Sequence, residues 1–195
     1  MIDTVIEYLT LVWKIFSTPW TSLETLWLVL PLVLILILIH LYFGRFRSEE
    51  LGWNSAFGNS ISLLWICVIL FRFLFDKYSF FTLIRETQAI DNLIIVLALT
   101  AWVILLLAFN YFHAVPKKLA FALSSADSTY ILAYIIISVI IGGFSMSIET
   151  LIASAILFAA VFAALELFKH LIPMTGSAKE AIKRREKKKK AKSKK

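Results

Sequence analysis

The hydrophobic positions of this chain are grouped into five long runs, each with at most one Asp, Glu, Lys or Arg. The runs cover residues 23–43, 56–75, 93–112, 129–144 and 151–168. A helix needs about 20 predominantly apolar residues to cross a hydrocarbon core of about 30 Å. The pattern therefore predicts an all-α fold, a polytopic membrane helix bundle with about five transmembrane helices. Four spans are the alternative, with one of the last two runs re-entrant, because Gly142 and Gly143 weaken the end of the fourth run.

The first 20 residues have a different pattern, in which apolar and polar positions alternate at helical spacing. The apolar positions are Val5, Leu9, Val12, Trp13 and Phe16. A short amphipathic helix of this kind suits the membrane interface, and Trp20 and Trp27 follow where an aromatic belt would anchor it. We predict an N-terminal interfacial helix over residues 1–20, with a helix packed on the bundle as the alternative. The bundle then occupies residues 21–170.

Small side chains repeat every four residues in the fifth run, at Ala155, Ala159 and Ala163. Small residues at this spacing let two helix backbones approach closely, which makes them a common packing seam in membranes. We expect this seam to pack inside the bundle. The alternative is that it joins two copies of the chain in a homo-oligomer.

The positive charge is concentrated at the C-terminus. Residues 179–195 hold eleven Lys and Arg against two Glu, a net charge of +9, whereas the other residues hold 9 basic and 11 acidic ones. Such a segment cannot bury a core, and we predict a disordered basic tail over residues 171–195. Its first half contains good helix formers and can extend as a helix, whereas its end is expected to be disordered through charge repulsion. Its predicted partner-binding residues are Lys183, Arg184, Arg185, Lys187, Lys188, Lys189 and Lys190.

This tail suits acidic partners, because each basic residue near an anionic membrane contributes about 1 kcal/mol to binding. RNA, such as that of a ribosome, is the other polyanion that charge density alone attracts. The tail contains no aromatic residue for base stacking, so sequence-specific RNA recognition is not expected. A purely topological role is the alternative.

The basic residues of the loops predict the orientation of the bundle. Arg45 and Arg47 lie in the first loop, Lys117 and Lys118 lie in the third, and the tail follows the fifth run. Short cytoplasmic loops carry an excess of Lys and Arg. We therefore predict a protein of the plasma membrane with its N-terminus outside and its C-terminus in the cytoplasm.

Polar side chains are concentrated where the second and fourth runs begin, and they form the candidate binding site. They are Asn54, Ser55, Asn59, Ser62, Asp127, Tyr134 and Ser138. Helix N-termini attract anions, and both of these helices are predicted to begin on the cytoplasmic side. We therefore expect Asn59 to lie within reach of residues 127–134. The alternative is that these side chains only cap helices and bond to neighbouring ones.

Residues that could bind a metal are few. The three histidines form no HxxxH or HExxH motif, and the only cysteine, Cys67, lies inside the second apolar run. Glu166 and Lys169, three residues apart, are expected to form a local ion pair. We predict no metal site and no cofactor.

The sequence also lacks the signatures of common enzymes, including GxSxG, the Walker A sequence and GxGxxG. Its polar segments are too short to fold into a catalytic domain. We predict a non-enzymatic binding or assembly factor whose basic tail engages anionic lipid or ribosomal RNA. The alternative is a small-solute or ion transporter or channel with a polar site near the inner leaflet.

The layout of five spans, an outside N-terminus and a basic cytoplasmic tail resembles the core of the YidC insertases. That resemblance implies a membrane-insertion function and a tail that contacts ribosomes. It covers topology only. The loop at residues 44–55 is too short for the cytoplasmic hairpin of those proteins, and residues 23–43 lack the Arg found in the bacterial members.

Overall fold

The computed structural model describes residues 2–46 and 52–192, and within these ranges the chain is helical apart from short connections. After the first helix comes a single 3₁₀ turn, Thr18–Trp20. The helices are α1 (Ile2–Ser17), α2 (Leu23–Arg45), α3 (Trp53–Lys77), α4 (Phe80–Leu83), α5 (Thr87–Phe112), α6 (Lys117–Leu123), α7 (Ala126–Ile141), α8 (Ile148–Leu171) and α9 (Gly176–Lys192). Arg47, one of the residues used to predict orientation, lies outside the described ranges.

Five stretches of the described chain are long and apolar enough to cross a membrane. They are Thr25–Arg45, Trp53–Lys77, Thr87–Phe112, Lys117–Ile141 and Ile148–Leu171. The fourth consists of α6 and α7, which are separated at Ser124 and Ser125. The prediction of five long apolar helices, rather than four, is confirmed.

The helix starts are set by a repeated serine cap. At α2, α4, α7 and α8 a serine side chain accepts a hydrogen bond from the backbone N–H three residues later, and such a cap contributes about 1 kcal/mol. The four caps are Ser22, Ser79, Ser125 and Ser147.

Helix α5 begins six residues before its apolar run. The third run starts at residue 93, but α5 begins at Thr87, because polar residues are compatible with the first turns of a helix. Asn92 therefore lies inside α5 with 0% of its surface exposed, and its carboxamide has no hydrogen-bond partner among the described residues.

The centre of the bundle is α7, and its edge is α8. Ten of the sixteen residues of α7 are buried, and this helix packs against α1, α2, α3 and α8. Only Thr150, Ala153 and Leu157 are buried among the 24 residues of α8. The other side chains of α8 are mostly apolar and exposed, which is expected of a helix whose outer face contacts lipid.

The N-terminal helix α1 packs on this bundle. Ile15 is fully buried against Ile131 and Leu157, while Val5 and Leu9 are more than half exposed. The structure therefore agrees with the alternative of a helix packed on the bundle at its C-terminal half. The interfacial position of its N-terminal half stays a prediction.

The alanine seam lies on the outside of the bundle. Ala155, Ala159 and Ala163 are all exposed, so the expectation that they pack inside is wrong. The residues of α8 that face the bundle are instead on the Ala153 and Leu157 side. Homo-oligomerisation through the exposed seam stays a prediction.

The tail is a helix over residues 176–192. The helix expected in its first half is therefore present, and it continues into the part of the tail that was expected to be disordered. Ala, Lys, Arg and Glu are strong helix formers, and these residues dominate α9. Its start is also fixed on the bundle. The Thr175 N–H donates to the Arg45 carbonyl at 3.2 Å, and Ala178 is 1% exposed.

Candidate functional site

The basic side chains of α2, α6, α8 and α9 lie at one end of the bundle, which we call the basic end. It contains the C-terminal ends of α2 and α8, the whole of α6 and the start of α9. Between α2, α6, α7 and α8 this end opens into a cavity of about 850 Å³, which we call the basic pocket. That volume is within the range of small-molecule sites.

A contact between the imidazole of His40 and the carboxylate of Asp127 lines the pocket on its α2 and α7 side. The Nε2 atom of His40 lies 3.2 Å from Oδ1 of Asp127, and the side chains are 2% and 16% exposed. The other ring nitrogen of His40 lies 2.8 Å from the Leu36 carbonyl. Both ring nitrogens are therefore occupied, which fixes the orientation of the imidazole. Asp127 lies in the first turn of α7, where a carboxylate is favoured by the helix dipole.

An ion pair within α8 also lines the pocket. Lys169 Nζ donates to Glu166 Oε1 at 3.0 Å, so the predicted local pair is confirmed. His170 follows on the same turn, with Nδ1 at 2.7 Å from the Glu166 carbonyl. Each carboxylate of the pocket thus has a cationic or imidazole partner.

The mouth of the pocket is formed by α6. Lys117 and Lys118 occupy its first turn, and Phe121 and Ala122 follow on the same wall. The Lys117 ammonium lies 5.2 Å from the centre of the Phe121 ring, at cation–π distance. Neither lysine has a carboxylate within 4.0 Å among the described residues.

Aromatic contacts hold α6 in place. The Trp53 ring packs 4.1 Å from the His113 ring and 5.0 Å from Phe121, measured between ring centres. His113 ends α5 in the left-handed conformation, with φ of 52°, which turns the chain towards α6. The start of α3 thus positions the helix that carries the two lysines.

A buried hydrogen-bond network supports the break between α6 and α7. Nδ2 of Asn110 donates to the hydroxyls of Ser124 and Ser60, at 2.8 and 3.1 Å. Nδ2 of Asn59 donates to the Ser124 carbonyl at 2.9 Å. A helix break at membrane depth requires such partners for its freed backbone groups. The network ties α3 and α5 to the break, so that α6 and α7 both face the pocket.

The two polar segments predicted as one site therefore meet at Ser124. The Asn59 amide hydrogen-bonds to that residue, whereas the carboxylate of Asp127 lies beside His40 on α2. Asn54 and Ser55 are exposed, and the Ser62 hydroxyl donates to the Gly58 carbonyl on its own helix. Of the seven predicted binding residues, only Asp127 lines the basic pocket.

Tyr134 and Ser138 lie further along α7. The Tyr134 hydroxyl donates to the Phe16 carbonyl and accepts from Nε1 of Trp20 at 3.0 Å. The Ser138 hydroxyl donates to the Tyr134 carbonyl on its own helix. Tyr134 thus fixes the end of α1 on the bundle, which is a structural role.

The predicted tail residues lie on α9 beyond its anchored first turn. Lys183, Arg184, Arg185 and Lys187 are exposed, and Arg184 lies 4.0 Å from Glu180, one turn earlier. The side chains of Lys188, Lys189 and Lys190 lie outside the described part of the structure.

Sequence reasoning did not join His40 to Asp127, and it used Lys117 and Lys118 only to orient the chain. The signal available in the sequence was the predicted position across the membrane, since all four residues lie at or just beyond the run ends that are predicted to face the cytoplasm. Ile39, Phe43 and Phe121 carried no signal that separates them from other apolar residues of the spans.

No group of three or more His, Cys, Asp or Glu side chains among residues 2–46 and 52–192 is arranged to hold a metal ion. Comparison with protein-family models, curated proteins and solved structures found no significant match to this chain. The layout resemblance to insertases therefore stays a prediction based on the order of the spans.

Proposed function

We propose that this chain is a non-enzymatic multi-pass membrane protein, a binding or assembly factor whose helix α9 engages the anionic lipid of the cytoplasmic leaflet. The observation that carries the proposal is the placement of α9. Between Gly176 and Lys192 this helix holds nine Lys and Arg against two Glu, a net charge of +7. Its first turn is fixed to the end of an apolar helix.

The charge of α9 is not confined to one face. Successive helix positions are rotated by about 100°, so Lys183, Arg184 and Arg185 point in different directions, and all are exposed. A helix without an apolar face does not insert into a bilayer. It interacts with an anionic surface through the density of its charge.

The anchoring of α9 favours lipid over RNA. Ala178 is buried against the bundle, and Arg185 is only seven residues further, about 11 Å along a helix that rises 1.5 Å per residue. That distance is close to the Debye length of about 8 Å at physiological ionic strength. The first basic turns of α9 are therefore held within electrostatic range of the headgroups at the end of α2.

The proposal requires the basic end to face the cytoplasm, in line with the positive-inside rule. A cysteine substituted for Ser193 should be shielded from an impermeant thiol reagent in intact cells, whereas one substituted for the exposed Ser145 should react. Cys67, which is 1% exposed, should stay unlabelled. The reverse pattern at Ser145 and Ser193 would overturn the orientation.

Binding is tested with the protein in nanodiscs of zwitterionic lipid, to which vesicles with anionic lipid, zwitterionic vesicles or ribosomal RNA are added. We expect capture of the anionic vesicles at an ionic strength of about 0.15 M. Replacing Lys183, Arg184, Arg185 and Lys187 by Gln should weaken capture by two to three powers of ten, at about 1 kcal/mol per charge.

The matched control replaces Glu180 and Glu186 on the same helix by Gln, which should strengthen capture. Preferential binding of RNA over the anionic vesicles would identify RNA, rather than lipid, as the partner of α9. Capture that survives the neutralisation of the four basic residues would show that α9 does not carry it.

A small-solute or ion transporter is a second candidate, favoured by the break in the fourth apolar stretch beside the buried His40 and Asp127 pair. Discontinuous spanning helices often form transport sites. Proteoliposomes containing a pH-sensitive dye would then show a proton flux that His40→Gln abolishes. Flux equal to that of empty liposomes would exclude proton transport.

A further inference from the structure

The basic pocket combines unneutralised cations with an apolar wall. Its two carboxylates, Asp127 and Glu166, are already paired with His40 and Lys169. The charges that no described carboxylate balances are those of Lys117 and Lys118 at the mouth. A ligand that completes this pocket therefore carries negative charge at the position of these lysines.

The size of the pocket excludes a bare inorganic anion as the ligand that fills it. A cavity of about 850 Å³ corresponds to a site for a molecule of many heavy atoms. Beside its polar residues, the lining includes the apolar side chains of Ile39, Phe43 and Phe121, which offer no hydrogen bonds. A ligand that fits has an anionic group at one end and an apolar body.

From these observations we propose that the basic pocket binds a phosphate-bearing amphiphile, an anionic phospholipid from the leaflet at the basic end. The ammonium groups of Lys117 and Lys118 contact the phosphate, and the acyl region lies against Ile39, Phe43 and Phe121. Lysine binds phosphate as a point charge without a fixed geometry, which suits a headgroup that enters from the membrane side.

The pocket is separate from α9. None of its lining residues belongs to α9, and its walls are fixed by contacts within α2 to α8. The function proposed for α9 can therefore fail while the pocket assignment holds, and the reverse is also true.

The test measures binding of short-chain phosphatidic acid to the purified full-length protein in neutral detergent, by native mass spectrometry. Short-chain phosphatidylcholine and glycerol phosphate are compared at the same concentrations. We expect one phosphatidic acid to bind at least tenfold more tightly than phosphatidylcholine. Glycerol phosphate, which lacks the apolar body, should bind weakly.

The decisive variant replaces Lys117 and Lys118 by Gln and should weaken phosphatidic acid binding about tenfold or more. Its control replaces Lys77 and Arg85, which are exposed cations at or just beyond the C-terminal ends of α3 and α4, away from the basic end. This change should leave binding unchanged. Ala122→Trp, which fills the pocket without changing its charge, should also abolish binding. The melting temperature of each ligand-free variant shows that its fold is intact.

The α9 variant with four Gln substitutions should retain the tightly bound phosphatidic acid, which separates this proposal from that for α9. Equal binding of phosphatidic acid and phosphatidylcholine would overturn the anionic assignment. Equal binding of glycerol phosphate would overturn the lipid assignment in favour of a soluble phosphate ester. Unchanged binding in the variant of Lys117 and Lys118 would show that phosphatidic acid binds outside the pocket.

Discussion

The two basic regions of this molecule, the pocket and α9, lie at the same end of the bundle but depend on different levels of structure. The pocket exists only because four helices pack together and bring His40 to Asp127, which are 87 positions apart in the chain. The charge of α9 comes from residues that are close together in the sequence, and its described basic side chains are exposed. Changes at the buried contacts between the helices of the pocket should therefore affect the fold. Changes to the exposed lysines of the pocket, or to the exposed part of α9, should affect binding alone.

The strongest way to break this comparison is to remove the contact between His40 and Asp127. Replacing His40 by Ala leaves the carboxylate of Asp127, which is 16% exposed, without the imidazole beside it. A buried polar group that loses its partner costs about 1–3 kcal/mol, and more where the group is charged. We expect the free energy of unfolding, measured by denaturant titration in detergent, to fall by about 2–4 kcal/mol.

The matched control for that change is Arg72→Ala at the exposed pair of Arg72 and Asp76, where the side chains are 83% and 71% exposed. It should alter stability by less than about 0.5 kcal/mol. The α9 variant with four Gln substitutions should also melt like the unmodified protein. If it unfolds as readily as His40→Ala, then α9 is part of the folded core and the contrast is wrong.

A smaller effect is expected at the network that supports the helix break. Asn110→Ala removes the donor to Ser60 and Ser124, which are both fully buried. A buried polar group without a partner costs about 1–3 kcal/mol. Since the network positions α6, the variant should lose stability and also bind phosphatidic acid less tightly. Asn54→Ala, at an exposed amide of α3, should change neither measurement.

The smallest effect concerns the cap of the central helix. Ser125→Ala removes the side-chain oxygen that accepts the Ser128 N–H at 3.1 Å. A cap of this kind contributes about 1 kcal/mol, so thermal unfolding should show a modest loss. Ser125→Asp keeps a capping oxygen and should restore most of the stability. Unchanged stability in Ser125→Ala would mean that neighbouring groups satisfy the freed N–H.

Much of the fold could be predicted from the sequence, because the length and composition of an apolar run decide whether it is a long helix. The pair of Glu166 and Lys169 was also predictable, since three residues on a helix bring side chains together. What the sequence did not reveal is which helix is central. The polar side chains of α7 and α8 are few and do not define one face, so hydrophobic periodicity, which marks the buried side of a helix in water, carries little information here.

The same reason explains why the site was predicted only in part. Polar side chains near the ends of the apolar runs indicated at which end of the bundle the pocket lies, but not which helix each side chain faces. Asp127 was grouped with Asn59 because both begin spans, whereas tertiary packing places it against His40. The tail helix continues further than predicted because helix propensity outweighs charge repulsion in its second half and because its start is anchored at Ala178.

The central claim, that the basic end holds two separate anion sites, is tested most directly by following both sites in one set of variants. The protein, the variant of Lys117 and Lys118, the α9 variant and their combination are placed in nanodiscs. Retained phosphatidic acid and captured anionic vesicles are then measured at low and high salt.

We predict that the pocket variant loses only the retained lipid. The α9 variant should lose only the vesicle capture, which should fall steeply with salt because its charges are exposed. Loss of both signals in either single variant would contradict the claim.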